Sequence, residues 1–340
     1  MTPRELVLRS LEFDGPARIP RQMWLLPWAT QHHGGWVRCI EKRFPNDLIG
    51  CPYFCRRPVP GRGDPYAVGT CVDEWGCTFV NRQAGIIGEV KQPLVACWDD
   101  MEKVREPIEA LTVDTGEVAA FCRQTDRFVM APCCPRPFER LQFLRGTENV
   151  MTDLASGAPG LGGLLDRIHR FYLKEVRLWC GTDVDGVMFM DDWGTQRALL
   201  ISPAMWREAF KPLYRDYIDM IHAAGKKAFM HSDGWIVDII EDLIELGLDA
   251  LNAQVFCMGL EPLGVRFGGR IAFWGEIDRQ HLLPNGSRAE VTQAVRQFNA
   301  CFYHNGGLIA QLEFGPGANP ENVYAAFEAW DAFSEHDSAG

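Results

Sequence analysis

The sequence predicts a single α/β domain folded as a (β/α)8 TIM barrel, and three observations lead to this prediction. The chain has 340 residues, which is enough for eight strand–helix pairs. Short apolar runs alternate with amphipathic helical segments along most of its length. No Gly-x-Gly-x-x-Gly follows an early strand, which argues against a doubly wound sheet with a dinucleotide site.

Eight segments have the apolar character of parallel strands that are buried on both faces. The predicted strands are Ile19–Leu25, Asn46–Phe54, Arg127–Cys133, Asp185–Asp191, Lys226–His231, Ala250–Gln254, Arg270–Glu276 and Leu308–Glu313.

Helical spacing of apolar residues predicts the segments between the later strands. Pro203–Ala223, Ile236–Leu246 and Arg288–Phe302 each carry an apolar stripe of period 3.6. Pro320–Phe333 predicts a closing helix with proline in its first turn. The first residues, from Met1, read as the start of another helix rather than a secretory signal, because no apolar stretch follows them.

One segment interrupts the alternation. Residues 71–95 contain Asp73–Val80 and Ile86–Val90 on either side of a polar turn, and they predict a β-hairpin inserted between the second and third barrel strands. We treat residues 1–340 as one barrel domain, with Ser334–Gly340 as a frayed tail.

Charge and composition exclude several classes of function. The formal net charge is −11, and no basic block is present, so we expect no nucleic-acid partner. No apolar run approaches the roughly 20 residues that span a bilayer, so we expect no membrane insertion. The twelve cysteines form no Cys-x-x-Cys pair and suit a reducing cytoplasmic location.

The segment His231-Ser-Asp233-Gly234 stands at the end of the fifth predicted strand, where TIM-barrel enzymes place their reactive groups. His-x-carboxylate is a spacing that can put two ligands on one metal ion. A strand-to-helix turn with a capping aspartate would look the same. Further acids end other strands, and converging carboxylates bind a cation, share protons or face water. These acids are Asp191, Asp192, Glu276 and Glu313.

Aromatic residues form the second theme at the predicted strand ends. Rings around a few polar groups suit a flat or apolar organic substrate, although tryptophans at a barrel mouth often only pack. The candidate substrate-binding residues are Trp24, Trp28, Tyr53, Trp193, Trp235 and Gln254.

Over essentially its whole length, the chain resembles the uroporphyrinogen decarboxylase superfamily, whose fold is a (β/α)8 barrel. The stretches that carry the resemblance begin at Thr2 (TPRELVLRSLE), Phe189 (FMDDWGTQ), Ile201 (ISPAMWRE), His222 (HAAGKKAFMHSDG), Phe273 (FWGEID) and Pro320 (PENV).

The superfamily has two main branches, and the resemblance points to the second. True decarboxylases act on a tetrapyrrole and grip its carboxylates with an Arg-Gln-Ala-Gly-Arg stretch; here Arg21-Gln22 is followed by tryptophans and no second arginine. The methyltransferase-like branch works with corrinoid proteins and binds zinc through His-x-Cys and a distant cysteine. In this sequence the cysteine positions read Asp233 and, near the carboxyl end, Leu312 or Glu313.

The resemblance therefore implies methyl transfer between a small, methoxylated aromatic substrate and a corrinoid carried on a separate protein. It implies His231, Asp233, Glu276 and Glu313 as ligands of a divalent metal, with zinc as the first choice. Because these ligands are harder than thiolates, they favour zinc with bound water, or another divalent ion, over thiolate-bound zinc. Asp191 or Asp192, together with His231, would position substrate or act as acid and base.

Two alternatives stay open. A decarboxylase of a tetrapyrrole or smaller carboxylate would need arginines in the cavity, and the candidates are Arg21, Arg56, Arg57, Arg136 and Arg197. A non-catalytic barrel subunit of a methyl-transfer complex would explain the missing cysteine ligands. Members of the family are often dimers, so a homodimer is the expected assembly.

Overall fold

Eight parallel strands form one sheet that curls into a nearly closed barrel, which confirms the predicted TIM fold. The computed structural model describes the backbone of residues 1–337 and the side chains of residues 1–333. The strands are β1 (Arg21–Leu25), β2 (Leu48–Gly50), β3 (Gly69–Val72), β4 (Thr78–Asn81), β5 (Glu89–Val90), β6 (Phe128–Met130), β7 (Gly186–Met190), β8 (Lys227–Ser232), β9 (Ala250–Ala253), β10 (Ala272–Trp274) and β11 (Leu308–Phe314).

Helices cover the outside of the barrel between these strands, and two short 3-10 helices lie at Trp98–Lys103 and Ile108–Leu111. The α-helices are α1 (Pro3–Leu11), α2 (Pro27–Arg43), α3 (Thr115–Arg123), α4 (Pro137–Arg145), α5 (Thr147–Ser156), α6 (Pro159–Cys180), α7 (Pro203–Ala209), α8 (Lys211–Ala223), α9 (Val237–Glu245), α10 (Val255–Met258), α11 (Leu260–Phe267), α12 (Leu282–Asn285), α13 (Arg288–Phe302) and α14 (Pro320–Asp337). Among the described residues, none of these helices is long and apolar enough to cross a membrane.

Each of the eight predicted barrel strands is present, although most are shorter than predicted. The helix predicted over Pro203–Ala223 is broken at Phe210 into α7 and α8. Pro212 explains the break, because its ring and missing N–H prevent a helix from continuing through it. The last helix extends to Asp337, and residues 338–340 of the predicted tail lie outside the described residues.

The segment predicted as a hairpin lies in a small antiparallel sheet between the second and third barrel strands. In this sheet β4 pairs with β3 on one side and with β5 on the other. Its loop packs against the start of α2, because the N–H of Trp28 donates to the carbonyl of Gly85 at 3.4 Å. A Cβ at Gly85 would lie 2.6 Å from the backbone of Trp28, so the contact requires glycine.

Asp47 closes the barrel between β1 and β2, which stand at the two ends of the strand order. Its carboxylate accepts from the backbone N–H of Arg21 at 2.8 Å and from both terminal nitrogens of Arg18 at 2.7 and 2.6 Å. Its own N–H donates to the carbonyl of Arg21, and the side chain of Asn46 accepts from the N–H of Met23. One residue pair therefore takes the place of a strand ladder at this seam.

The barrel interior is apolar at the amino-terminal end of the strands and polar at the other. Val7 and Leu11 of α1 pack beneath the inward side chains of Leu48, Phe128, Phe229 and Ile309. Strand side chains alternate with a period of two, so the inward row of Phe229 continues through His231 to Asp233. The sequence thus places its polar side chains at the carboxyl end, above an apolar floor.

Candidate active site at the carboxyl ends of the strands

His231 is the centre of a polar cluster at the carboxyl ends of β7 and β8. Its Nε2 lies 3.6 Å from Oδ1 of Asp192 and 3.5 Å from Oδ1 of Asp233. The imidazole is buried, whereas the side chains of Asp192 and Asp233 are 41% and 28% exposed. Ligands or substrate can therefore reach the carboxylates while the histidine stays fixed.

A chain of amide groups sets the tautomer of His231. The side-chain N–H of Asn252 donates to the backbone carbonyl of Trp274 and to Oε1 of Gln311, the latter at 2.9 Å. The Oδ1 of Asn252 then faces Nδ1 of His231 at 2.5 Å, so Nδ1 carries the hydrogen. Neutral His231 consequently presents the lone pair of Nε2 to Asp192 and Asp233. A metal-binding histidine needs this arrangement of its second nitrogen.

Glycine contacts between two loops bring Asp192 and Asp233 together. The backbones after β7 and β8 touch at Gly194 and Gly234, where an added Cβ would meet the opposite backbone at 2.2 Å. The N–H of Asp233 donates to Oδ1 of Asp192 at 3.0 Å, and the N–H of Gly194 donates to the carbonyl of Asp233 at 3.1 Å. Substitution of either glycine would separate the two carboxylates.

Asp192, His231 and Asp233 fit a divalent metal ion. One ligand atom from each residue lies within 4.8 Å of the others. Oδ1 of Asp233 is buried and has no hydrogen-bond partner among the described residues, so it is free to bind a cation. Two carboxylates and one imidazole leave open positions on the metal, as in catalytic zinc sites.

The other two predicted metal ligands are engaged by Arg279, a residue that the sequence analysis did not single out. Its guanidinium contacts Asp233 and lies 3.1 Å from Glu313 and 3.3 Å from Glu276. Burial raises the pKa of Glu276 to about 8, against the opposing charge of Arg279. The structure therefore brings the predicted acids together, but around an arginine. In the sequence, the position of Arg279 three residues after Glu276 was the feature that could have pointed to this contact.

A cavity of about 160 Å³ lies next to this arginine. Gln254 and Arg279 join it to the His231 cluster, since Oε1 of Gln254 accepts from the N–H of Gly234 at 3.0 Å. The cavity is lined by Gln196, Gln254, Phe256, Cys257, Glu276, Ile277, Asp278, Arg279, Gln280 and His281. Most of these side chains are polar, in contrast to the aromatic cavity expected from the sequence.

Asp191 lies on the other side of the strand wall from Asp192. Its carboxylate accepts from the N–H groups of Phe138 and Glu139 at the start of α4 and from the hydroxyl of Tyr214 at 2.6 Å. Burial raises the pKa of Asp191, and these three donors oppose that shift. The structure thus separates Asp191 from the His231 cluster.

The predicted aromatic residues are also divided by the strand wall. Trp24 is at the site, with its ring 5.1 Å from the ring of His231. Trp193 is fully buried outside the barrel and stacks on Phe138 at 4.1 Å. Trp28 stacks on His32 at 4.5 Å near the small sheet.

Tyr53 and Trp235 also lie apart from the His231 ring. The hydroxyl of Tyr53 donates to Glu175 of α6 at 3.1 Å, and its ring meets Trp179 edge-on. Trp235 is partly buried, and its backbone N–H donates to Thr195 at 2.7 Å. Of the six predicted substrate-binding residues, Trp24 and Gln254 have described contacts at the site.

Glu139 is a second residue that sequence reasoning missed. It occupies the first turn of α4, and burial raises its pKa while Arg136 opposes the shift and Asp192 adds to it. Its Oε2 is buried without a hydrogen-bond partner among the described residues. The run Pro135-Arg-Pro-Phe-Glu139, which follows the third barrel strand, indicates the start of a helix. It does not indicate that the side chain of Glu139 points towards the site.

Residues 70–333 match the family model described as uroporphyrinogen decarboxylase (URO-D). The chain belongs to the uroporphyrinogen decarboxylase family. None of the curated protein sequences matches it. The family confirms the resemblance drawn from the sequence motifs and agrees with the observed barrel.

Two solved structures are similar to this chain at low sequence identity. A methyltransferase from Methanosarcina mazei aligns with 98% of this chain and 99% of its own, with a TM-score of 0.66 at 15% identity. A 3-keto-D-glucoside 4-epimerase from E. coli aligns with 64% of this chain and 84% of its own, with a TM-score of 0.39 at 11% identity. The first of these likenesses shows that this member of the uroporphyrinogen decarboxylase family shares its fold with that protein.

Proposed function

We propose that this chain transfers a methyl group from a small methoxylated aromatic substrate to a corrinoid carried on a separate protein. The cluster of Asp192, His231 and Asp233 carries the proposal, because it is a ligand set for a divalent metal at the mouth of the barrel. A bound metal, zinc being the first candidate, would polarise the ether oxygen and stabilise the released oxyanion.

The residues of the chain have separate tasks in this reaction. Asn252 keeps the lone pair of His231 Nε2 directed at the two aspartates. Arg279 holds one oxygen of Asp233, which leaves the other free. In this reaction the carbon–oxygen bond of the methyl ether would break with its electron pair going to oxygen. A reduced corrinoid, as the methyl acceptor, would supply the two electrons of the new bond to the methyl carbon.

The electrostatics favour this reaction over decarboxylation of a polycarboxylate. The family description makes decarboxylation the second candidate. Arg21 is paired with Asp331, Arg56 with Asp114, and Arg136 lies 4.0 Å from Glu139. Arg57 and Arg197 are exposed. A substrate with several carboxylates would meet these acids, and the arginine beside them, Arg279, is already shared by three carboxylates.

Metal analysis of the purified chain and a demethylation assay test the proposal together. The assay supplies reduced cobalamin as methyl acceptor and a panel of methoxybenzenes and methoxyphenols. We expect about one zinc per chain and methylcobalamin formation that needs it. His231→Ala should lower both metal affinity and activity by more than roughly 100-fold, since a direct ligand matters more than its supporting partners.

His222→Ala is the matched control, because this histidine pairs with Asp249 at the opposite end of the strands. It should retain both the metal and the activity. Full activity in a metal-free His231→Ala protein would refute the metal site. Release of carbon dioxide from carboxylated rings without methyl transfer would instead establish the decarboxylase.

A further inference from the structure

The cavity beside Arg279 has the size of a single ring. Its volume is about 160 Å³, and an apolar cavity of about 150 Å³ in a protein core binds benzene. Phe256 and Ile277 supply apolar contacts on its wall, while amide and carboxyl groups supply the rest. It therefore suits a ring that carries at least one polar substituent.

Glu276 forms an ion pair with Arg279, but its carboxyl group lacks a hydrogen-bond donor among the described residues. Its side chain is 3% exposed, and neither carboxyl oxygen accepts a hydrogen bond from a described residue. Oε1 lies 3.3 Å from Nε of Arg279, without hydrogen-bond geometry. A buried carboxyl group without donors costs free energy, and a ligand that supplies one would remove that cost.

The neighbouring groups restrict what that donor can be. Gln196 donates to Gln280 at 3.1 Å, and Asp278 accepts from the N–H groups of Gln280 and His281, so these groups already have partners. The acids around Arg279 would repel a carboxylate ligand, and the guanidinium of Arg279 would repel an ammonium ligand. A neutral hydroxyl group avoids both repulsions.

We propose that this cavity binds a ring bearing a hydroxyl group, which donates a hydrogen bond to Glu276. The reaction itself rests on the proposed function. Within that reaction, the substrates would be methoxyphenols rather than fully methylated arenes. Gln254 and Arg279 link the cavity to the segment that contains Asp233. A ring held here would be next to the metal ligands, and Glu276 would distinguish substrates by their free hydroxyl.

Calorimetric titration of the full-length chain with four small rings tests this assignment without any methyl transfer. Phenol and anisole differ only in methylation of the hydroxyl group, and benzoate and benzylammonium add a negative or a positive charge. We expect phenol to bind at least tenfold more tightly than anisole and more tightly than either charged ring. Equal affinity for phenol and anisole, tighter binding of a charged ring, or no binding of phenol would overturn the proposal.

Two variants locate the effect at Glu276. In Glu276→Ala, the affinities for phenol and anisole should agree within about twofold. Glu276→Gln keeps the side-chain shape and one acceptor oxygen, so it should retain a reduced preference and serves if the alanine variant does not fold. Glu261→Gln, on the exposed face of α11, should leave the tenfold preference unchanged. A tenfold preference that survives in Glu276→Ala would also overturn the proposal.

The outcome is separable from that of the proposed function. Phenol binding through Glu276 without demethylation of any methoxyphenol would refute the methyltransferase alone. Demethylation that proceeds equally well with methoxybenzenes and methoxyphenols would refute the role of Glu276 alone.

Discussion

Asp191 and Asp192 are adjacent in the chain, yet they belong to regions with opposite chemistry. Asp191 faces the helical layer, is fully buried and accepts three hydrogen bonds. Asp192 faces the barrel mouth, is 41% exposed and lies beside His231. The carboxylate of Asp191 is thus satisfied by the protein, whereas the carboxylates of Asp233 and Glu276 in the mouth keep oxygen atoms without hydrogen-bond partners among the described residues. These unsatisfied carboxylates are the ones available to a ligand.

The largest expected effect comes from exchanging the two aspartates for alanine one at a time. Asp191→Ala leaves two helix N–H groups and the Tyr214 hydroxyl without an acceptor, so it should lower the free energy of unfolding by roughly 3 kcal/mol. Asp192→Ala should cost less than about 1 kcal/mol but abolish tight zinc binding. Urea unfolding and zinc titration of both variants measure this contrast, and equal losses of stability would remove the distinction between the two regions.

A second comparison uses two buried asparagines. Asn252→Ala removes the acceptor that orients His231, and zinc affinity should fall by roughly 10- to 100-fold. Asn322→Ala is the matched control from the helical layer, where the amide donates to the carbonyls of Leu282, Leu283 and Gly286. It should reduce stability while zinc affinity stays unchanged. A similar drop in zinc affinity for both variants would show that the effect is a general loosening of the fold.

The third prediction concerns how the stabilising effect of Arg279 on the acids of the barrel mouth changes with pH. Arg279→Met removes the cation that opposes the raised pKa of Glu276, so the pKa of Glu276 should rise further beside Asp233 and Glu313. The loss of stability should be greater at pH 8, where Glu276 of the natural chain begins to ionise, than at pH 5, where it is protonated, by about 0.4 kcal/mol. Arg145→Met removes a buried arginine with one carboxylate partner, Asp153, and should show a smaller difference between the two pH values.

A pH-dependent change in stability is also expected for Glu175, a buried acid of the helical layer. Burial raises its pKa from 4.5 to about 7. Because the folded state binds this proton more tightly, stability should fall as the pH rises from 4.5 through 7. Glu175→Gln should remove that fall and exceed the natural chain by about 1–3 kcal/mol at pH 8, with no difference at pH 4.

Thermal or urea unfolding across this pH range measures the effect of Glu175→Gln. Glu117→Gln, an exposed residue of α3, is the control and should follow the natural profile. A variant that gains no stability between pH 4 and pH 8 would contradict the assignment of the proton to Glu175.

The fold could be predicted because apolar runs and helical stripes report burial directly. All eight barrel strands were found this way, and the barrel then placed His231 and Asp233 at the carboxyl end of β8. The sequence could not tell Asp191 from Asp192, because an uncertainty of one residue in a strand turns every side chain to the other face. The aromatic residues were equally ambiguous. Trp24 at the site and Trp193 in the helical layer are both tryptophans near the end of a strand, so the sequence could not tell which ring faces the site.

Partners that are distant in sequence were the harder part of the site to predict. Arg279 lies in a loop, where no periodicity predicts which way a side chain points, although it contacts acids at the carboxyl ends of three different strands. Asn252 was visible only as a polar residue in an apolar strand, and its contact with His231 depends on the register between β8 and β9. Such contacts follow from the closed sheet rather than from local sequence.

Asp47 joins β1 to β2 without a strand ladder, so the barrel should open first between these two strands. A ladder between neighbouring strands opens one backbone bond at a time, but here the joint depends on two adjacent residues, Asn46 and Asp47, and on the Arg18 side chain that holds the Asp47 carboxylate. Loss of these contacts would turn the ring into a ribbon with two free edges, while the other seven strand pairings stay intact. The same edges bear Trp24 on one side and the chain that leads to the small sheet on the other. The integrity of the ring therefore depends on the contacts at this one joint.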